Sequence, residues 1–245
     1  DGRLMVRGGD VYETKTFIDG LIAAKPYYSK TPDIATRGRF APSLFSGVMF
    51  NSGGYSAEYG QALSSVLVLN SNDIAAEDVT GISLLSIGGE ANTTQRMKNS
   101  SFGLSGSYTN LSLYDKLFNS SVDWEKPVEA VNGTAVYRCK TKSNGMFKGF
   151  LPPDFGNLSY QVPTAVENKK MLISNKGLTT YSNLSFRDCF SEKLCYKIGV
   201  STTSQINKTG LGDNSVETAE LNIETRFTVT HDISEGVKFT WGANE

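Results

Sequence analysis

The sequence predicts an all-β chain, a transmembrane antiparallel β-barrel segment behind a short glycine-laced region. Three observations lead there. From about residue 80, apolar and polar residues alternate in segment after segment, the period of a strand with two unlike faces. The polar face carries charge and small hydroxyls in mid-strand, as a wet lumen tolerates. The segments run to about ten residues, the length a tilted strand needs to cross a bilayer.

Residues 1–72 have a different texture. Their strand-like runs are short, at 4–7, 16–19, 48–51 and 65–70. A long loop, 23–42, separates the second from the third, and Pro26, Pro32 and Pro42 argue against helix there. Loops of that length are functional or unstructured. The run from Asn51 to Val66 holds Gly53, Gly54 and Gly60 beside Tyr55, Glu58 and Tyr59, then enters a strand. Glycine supplies positive φ and close backbone approach, so a tight turn feeding a strand is expected.

Residues 73–245 read as successive strands. Phe102, Leu104, Gly106 and Tyr108 share one face, against Gly103, Ser105 and Ser107. Tyr196, Ile198 and Val200 alternate with Lys197, Gly199 and Ser201. Leu221, Ile223, Phe227 and Val229 alternate with Asn222, Glu224, Arg226 and Thr228, and Val237, Phe239 and Trp241 with Lys238 and Thr240. Turns are expected at 143–145, 168–170, 188–195, 207–214 and 232–236, with Ser143-Asn144-Gly145 the strongest hairpin signal. The stretch 113–124 is weakly helical and reads as a short helix or ordered loop.

Composition narrows the function. Lys and Arg number 24 against 25 Asp and Glu, and the cations are scattered, unlike the clustered basic face of a nucleic-acid binder. No apolar run approaches the ~18 residues of a spanning helix, a test to which alternating strands are invisible. The chain opens on a strand-like run without a leader, so the leader is expected to be removed or the N-terminus to lie upstream. One histidine, His231, and three cysteines supply no zinc set, and no metal or cofactor is expected. Nucleophile elbow, phosphate loop and dinucleotide fingerprint are all missing, so the chain is not expected to be an enzyme. Cys189 and Cys195 flank a short loop and are either a hairpin-closing disulfide or two thiols. Cys139 reads as a small packing residue. The recurrent Asn-x-Ser/Thr triplets follow from composition.

Three motifs carry a resemblance. Val6-Arg7-Gly8-Gly9-Asp10, Phe17-Ile18-Asp19-Gly20 and the 51–66 run, in this order and followed by alternating strands, resemble the plug domain of TonB-dependent outer-membrane receptors, in the form found in Bacteroidota. The resemblance implies that 1–72 is the C-terminal part of a small α+β plug domain and 73–245 the first strands of a transmembrane β-barrel. At roughly 20 residues per strand and turn, 73–245 supplies on the order of eight or nine strands. A plugged transporter has about 22, so the chain is expected to be a fragment. The implied protein sits in a Gram-negative outer membrane and imports a nutrient ligand, a siderophore, cobalamin or an oligosaccharide. Its implied partners are outer-membrane lipid, the ligand, and a TonB-type energy-coupling protein acting through a segment outside this chain.

The resemblance also assigns residues. Gly8, Gly9, Asp19, Gly20, Gly53, Gly54, Tyr59 and Gly60 make up the plug motif. Arg7 would face acidic residues of the barrel wall, with Glu58 as a further polar contact. Asp10 and Asp19 would accept turn N–H groups. Tyr27, Tyr28, Arg37, Arg39 and Phe40, in the long loop, would meet the ligand or gate its path. The alternative is a secreted soluble all-β binding or adhesion module whose apolar faces meet each other.

Overall fold

The computed structural model describes residues 4–28, 38–118, 122–164 and 169–245. They form two sheets. The small sheet contains β1 (Thr14–Ile18), β2 (Leu21–Ile22), β3 (Phe45–Asn51) and β4 (Ser65–Ser71), in the order β2-β1-β4-β3. β1 and β2 turn on Asp19-Gly20, both at positive φ (48° and 80°), the geometry of a two-residue hairpin loop. β1 runs parallel to β4, and β3 antiparallel to it. Its helical part is two single 3₁₀ turns, Val11–Glu13 and Pro42–Leu44.

The continuous apolar run Val66-Leu67-Val68-Leu69 is a central strand covered on both faces. On one side Phe17, Val66 and Val68 pack beneath Tyr55, Tyr59 and Ala62 of the glycine-rich run, with the Phe17 and Tyr59 rings 5.1 Å apart, edge to face. On the other side Ile18 and Leu69 join Phe40 and Phe45 against Phe150 and Tyr181 of the second sheet.

That second sheet contains ten strands: β5 (Val79–Leu85), β6 (Gly88–Arg96), β7 (Ser100–Asn110), β8 (Asp123–Lys140), β9 (Met146–Leu151), β10 (Pro153–Pro163), β11 (Lys170–Ser191), β12 (Leu194–Leu211), β13 (Asn214–Ser234) and β14 (Val237–Asn244). Every pairing in it is antiparallel, and neighbours in sequence are neighbours in space. β9 and β10 lie in line between β8 and β11. They are divided at buried Pro152, which has no N–H to give a ladder. One helical turn, α1 (Ser112–Leu117), interrupts the connection from β7 to β8. The connections at 97–99, 141–145, 192–193 and 235–236 mark the turn end of the sheet. The ends of β7 and β10 and the starts of β8 and β11, with the turns at 86–87 and 212–213, mark the opposite, loop end.

Several expectations need correction. Residues 4–7 are not a strand: Gly9 N–H donates to Val6 O at 2.9 Å, and Arg7 and Gly8 both take positive φ, so a tight turn centred on Arg7-Gly8 reverses the chain. The turns expected at 188–195 and 207–214 shrink to 192–193 and 212–213 because β11, β12 and β13 continue further. Strands reach 22 residues in β11 and 21 in β13, twice the expected length. The turn at 168–170 lies partly outside the described residues.

The large sheet is inside out relative to a soluble one. The face toward the small sheet buries Ser101, Arg138, Lys148, Asp154, Asn183, Ser201, Thr203, Glu224 and Arg226. The opposite face exposes Phe102, Leu104, Leu178, Leu184, Ile198, Ile206, Leu221 and Phe227. On β12 the outward positions run from Tyr196 through Ile198 and Val200 to Ile206, apolar except for the hydroxyls of Thr202 and Ser204. At ~3.3 Å per residue this span is about 33 Å along the strand. Aromatic pairs crowd its turn end: Tyr137 with Phe147, Phe186 with Tyr196, Phe190 with Tyr196, and Phe227 with Trp241.

Candidate functional site

The polar face of the large sheet and the small sheet together form the site. Nearest the turn end, the Asp19 carboxylate accepts from Ser71 N at 3.0 Å and Ser71 Oγ at 2.5 Å. Lys148 Nζ stands 3.7 Å from Asp19, donates to Ser71 O at 2.7 Å and reaches Asp73 at 2.8 Å. Arg187 approaches Asp73 at 3.5 Å. Arg138 Nε donates to Asn72 O at 2.9 Å, and its Nη1 to Gly149 O at 2.6 Å. Wall cations thus hold the segment through which the small sheet leaves for the large one. Burial opposes ionisation of Asp73, but the Lys148 hydrogen bond and the Lys148, Arg187 and Arg138 charges outweigh it and lower its pKa.

Halfway along, the β1–β2 hairpin docks edge-on. Asn183 Nδ2 donates to Ile18 O at 2.7 Å. Glu224 accepts from Ile22 N at 2.5 Å, and Ser201 Oγ donates to Ile22 O at 3.0 Å. Arg226 donates to Glu224 at 3.3 Å and lies 5.2 Å from the Phe17 ring centroid. Gly199 makes room for Leu21: a Cβ there would sit 2.7 Å from Leu21 Cδ1.

Toward the loop end, Arg39 crosses to Asp154. Its Nε donates at 2.6 Å, its Nη2 makes a second short contact to the same carboxylate, and its Nη1 donates to Lys25 O at 2.9 Å. Tyr28 Oη donates to Asn132 Oδ1 at 3.2 Å and to Asp154 Oδ1 at 3.4 Å. Burial first, and then the Asp154 charge, push the Tyr28 phenol well above its usual pKa and keep it protonated. Beside this clamp a crevice of about 580 Å³ opens between the 23–28 segment and β12–β13. Ser201, Thr203, Gln205 and Asn207, alternate residues of β12, line one wall, and Lys25 bridges to Glu220 at 2.8 Å.

Several of the expected site residues occupy other places. Arg7 is exposed, its guanidinium next to Gly53; Arg39 is the arginine that crosses to the wall, while Arg138 and Arg226 stand on the wall and reach inward. Glu58 is half-buried, with its N–H turned to Ser56 Oγ. Gly8 and Gly54 take positive φ, Gly9 packs against Glu13, and Gly60 borders open space. Asp10 accepts from Tyr12 N at 3.4 Å. Arg39 and Phe40, placed by the resemblance in a ligand-facing loop, are enclosed: Arg39 is buried, and Phe40 packs on Phe150 and Tyr181. Tyr27 accepts from Leu4 N at 3.1 Å and borders the crevice with Tyr28. Arg37 lies outside the described residues. Cys189 and Cys195 are directly opposite on β11 and β12 and form a disulfide; Cys139 is unpaired. Among the described residues no cluster of His, Cys, Asp or Glu could hold a metal ion.

Asp154, Lys148 and Asn183 were not singled out from the sequence. Their signal is a polar side chain flanked by an apolar residue on the opposite face (Phe147 beside Lys148, Phe155 beside Asp154, Leu184 beside Asn183), the same signal that marks Glu224 and Arg226.

No protein-family model and no curated protein matches the chain. Among solved structures, it is similar to a double mutant of the hemophore receptor HasR of Serratia marcescens, in complex with the hemophore HasA and heme. The TM-score is 0.43 at 11% identity, over 95% of this chain and 44% of that one. It is also similar to the alcaligin outer-membrane receptor FauA of Bordetella pertussis, with a TM-score of 0.32 at 10% identity, over 90% of this chain and 52% of that one. The chain spans about half the length of these two proteins.

Proposed function

We propose that the chain is the plug and adjoining barrel wall of a TonB-dependent outer-membrane transporter of the Bacteroidota type. The small sheet is the plug, and the large sheet is part of a wider barrel whose outward face meets lipid. The observation that carries this reading is the inverted large sheet: buried charge toward the small sheet, and an outward, largely apolar span about 33 Å long on β12, enough to cover a lipid belt about 25 Å tall at the usual tilt of a membrane barrel strand. A soluble sandwich would turn those apolar faces toward each other. The protein binds its ligand from outside and passes it between plug and wall without covalent chemistry. The polar crevice beside Tyr27 and Tyr28 is where a siderophore, cobalamin or oligosaccharide enters. The plug is held to the wall by charge pairs and hydrogen bonds, contacts that a pulling partner can break and water can replace.

The test uses the whole protein in planar bilayers. Intact, it should conduct poorly; with 4–72 deleted, it should form a large, steady ion-conducting pore. A protein that stays in aqueous solution without detergent and never inserts would end this reading in favour of a soluble module.

A further inference from the structure

The outward face of the large sheet ends, toward its loop end, in a charged row that the transport reading does not use. Cross-strand register sets Tyr108, Val131, Phe155, Leu178, Ile206 and Ala219 in line across β7, β8, β10, β11, β12 and β13. The next row toward the loop end is Asn110, Glu129, Asn157, Lys176, Lys208 and Glu217. The apolar band stops at this boundary.

Lys176 and Lys208 are directly opposite on paired strands and both are exposed. Like charges so placed repel. Among the described residues, no carboxylate comes within 4.0 Å of either ammonium, although Glu217 is across from Lys208. Glu129 in the same row is already engaged, accepting from Tyr108 Oη at 2.9 Å and pairing with Lys126 at 3.0 Å. The Lys176 ammonium leans to 5.8 Å from the Phe155 ring centroid, at the edge of the apolar band. One row beyond, Ser174 is opposite Gly210, where a Cβ would approach the serine Oγ to 2.4 Å. Glycine there keeps the hydroxyl's space clear.

We infer that Lys176 and Lys208, with the Ser174 hydroxyl beside them, bind the phosphate of an anionic membrane lipid. The inference rests on reading the large sheet as a membrane wall. Charge complementarity supplies the anion, and continuity with the apolar band selects a lipid over a free ion: a headgroup phosphate is delivered to this height by its own acyl chains. An ammonium near a membrane surface is worth roughly fivefold in affinity for anionic lipid, so the pair is worth about 25-fold.

The experiment places the whole protein in vesicles of phosphatidylcholine alone, or of four parts phosphatidylcholine to one part phosphatidic acid. Lipids retained after extraction into detergent are counted by native mass spectrometry. With retention normalised to the 4:1 composition of the vesicle, the unmodified protein should retain phosphatidic acid about 25-fold over phosphatidylcholine. Lys176→Gln with Lys208→Gln should fall to near parity, and Lys176→Arg with Lys208→Arg should keep most of the preference. Equal retention in the unmodified and Gln proteins, with both inserted in neutral vesicles, overturns the lipid site and leaves the wall intact. Failure to insert in either vesicle overturns the wall and the site together. Inorganic phosphate should not displace the bound lipid; displacement would overturn the choice of lipid over free ion.

Discussion

In the small sheet the largest side chains shut away from solvent are Phe17, Ile18, Leu21 and Val66; in the large sheet they include Asn183, Ser201, Thr203 and Glu224. The small sheet's central strand is covered on both faces and encloses apolar residues in succession, whereas the large sheet alternates with a period of two and encloses the polar half. The small sheet needs water outside it, because its free energy comes from removing apolar surface from water. The large sheet exposes Ile223 at 60% and Leu221 at 65%, and its order comes from hydrogen-bonded strands and the polar seam it shares with the small sheet. Phe150 and Tyr181 depart from this rule where the small sheet presents its own apolar face to them, and Met146, Tyr160 and Val229 are buried as well. Alternation alone identifies a strand; the chemistry of the enclosed face identifies its solvent.

The sharpest break is at the seam. Arg39→Ala leaves Asp154 buried without its partner, at a cost of about 3–5 kcal/mol. Protease cutting within 38–72 should rise steeply while the large sheet stays protected. Removing both charges, as Arg39→Met with Asp154→Leu, should restore much of the protection, since an apolar pair of similar volume is often neutral. If the double variant is cut as fast as the single one, Arg39 holds the small sheet by some route other than this ion pair.

Ile223→Arg separates the two solvents directly. The residue is mid-band, opposite Thr202. Facing lipid, the substitution should cost about 2–4 kcal/mol; facing water, it should stay within about 0.5 kcal/mol. Unfolding titrations in detergent or lipid read the difference. A smaller effect is expected at Gly199, where alanine would press on Leu21 and cost about 1–3 kcal/mol. Leu21→Ala in the same chain should recover part of that loss, a coupling that only a contact between the two sheets produces.

The sequence revealed the strands more readily than their lengths. The alternation at 102–108 and 220–230 lies inside β7 and β13, but β13 also extends to Asn214 through residues exposed on both faces, where nothing forces apolar and polar residues to alternate. The apolar run 4–6 resembles a strand, but a turn on Arg7-Gly8 cuts it short. The choice of arginine was not readable. Arg7 is beside the motif, yet Arg39 meets the carboxylate, across 115 residues of chain. Local pattern gives the face on which a charge lies; which opposite charge it meets depends on how one sheet sits within the other. The Cys189–Cys195 pairing stayed open for a simpler reason: spacing permits the bond, and only the register of β11 against β12 brings the two residues opposite.

The mildest expected effect is on pH, and it acts at one end of the seam only. The Asp73 carboxyl is held below its usual range by Lys148, Arg187 and Arg138 against the opposing effect of burial. A depressed carboxylate contributes stability that is fully present above its unfolded pKa, near 4, and is lost as pH falls through the lower folded value. Acidification below about pH 4 should therefore loosen the Ser71–Asp73 exit before it disturbs the β1–β2 hairpin. Amide hydrogen exchange at 71–74 should rise in this range, and Asp73→Asn should raise it at neutral pH and flatten the pH dependence. The side chain is half exposed, so screening keeps the change small and added salt should reduce it further. An exchange profile at 71–74 that ignores both pH and salt would mean that the Ser71 O and Asn72 O hydrogen bonds, rather than the carboxylate, hold the exit to the wall.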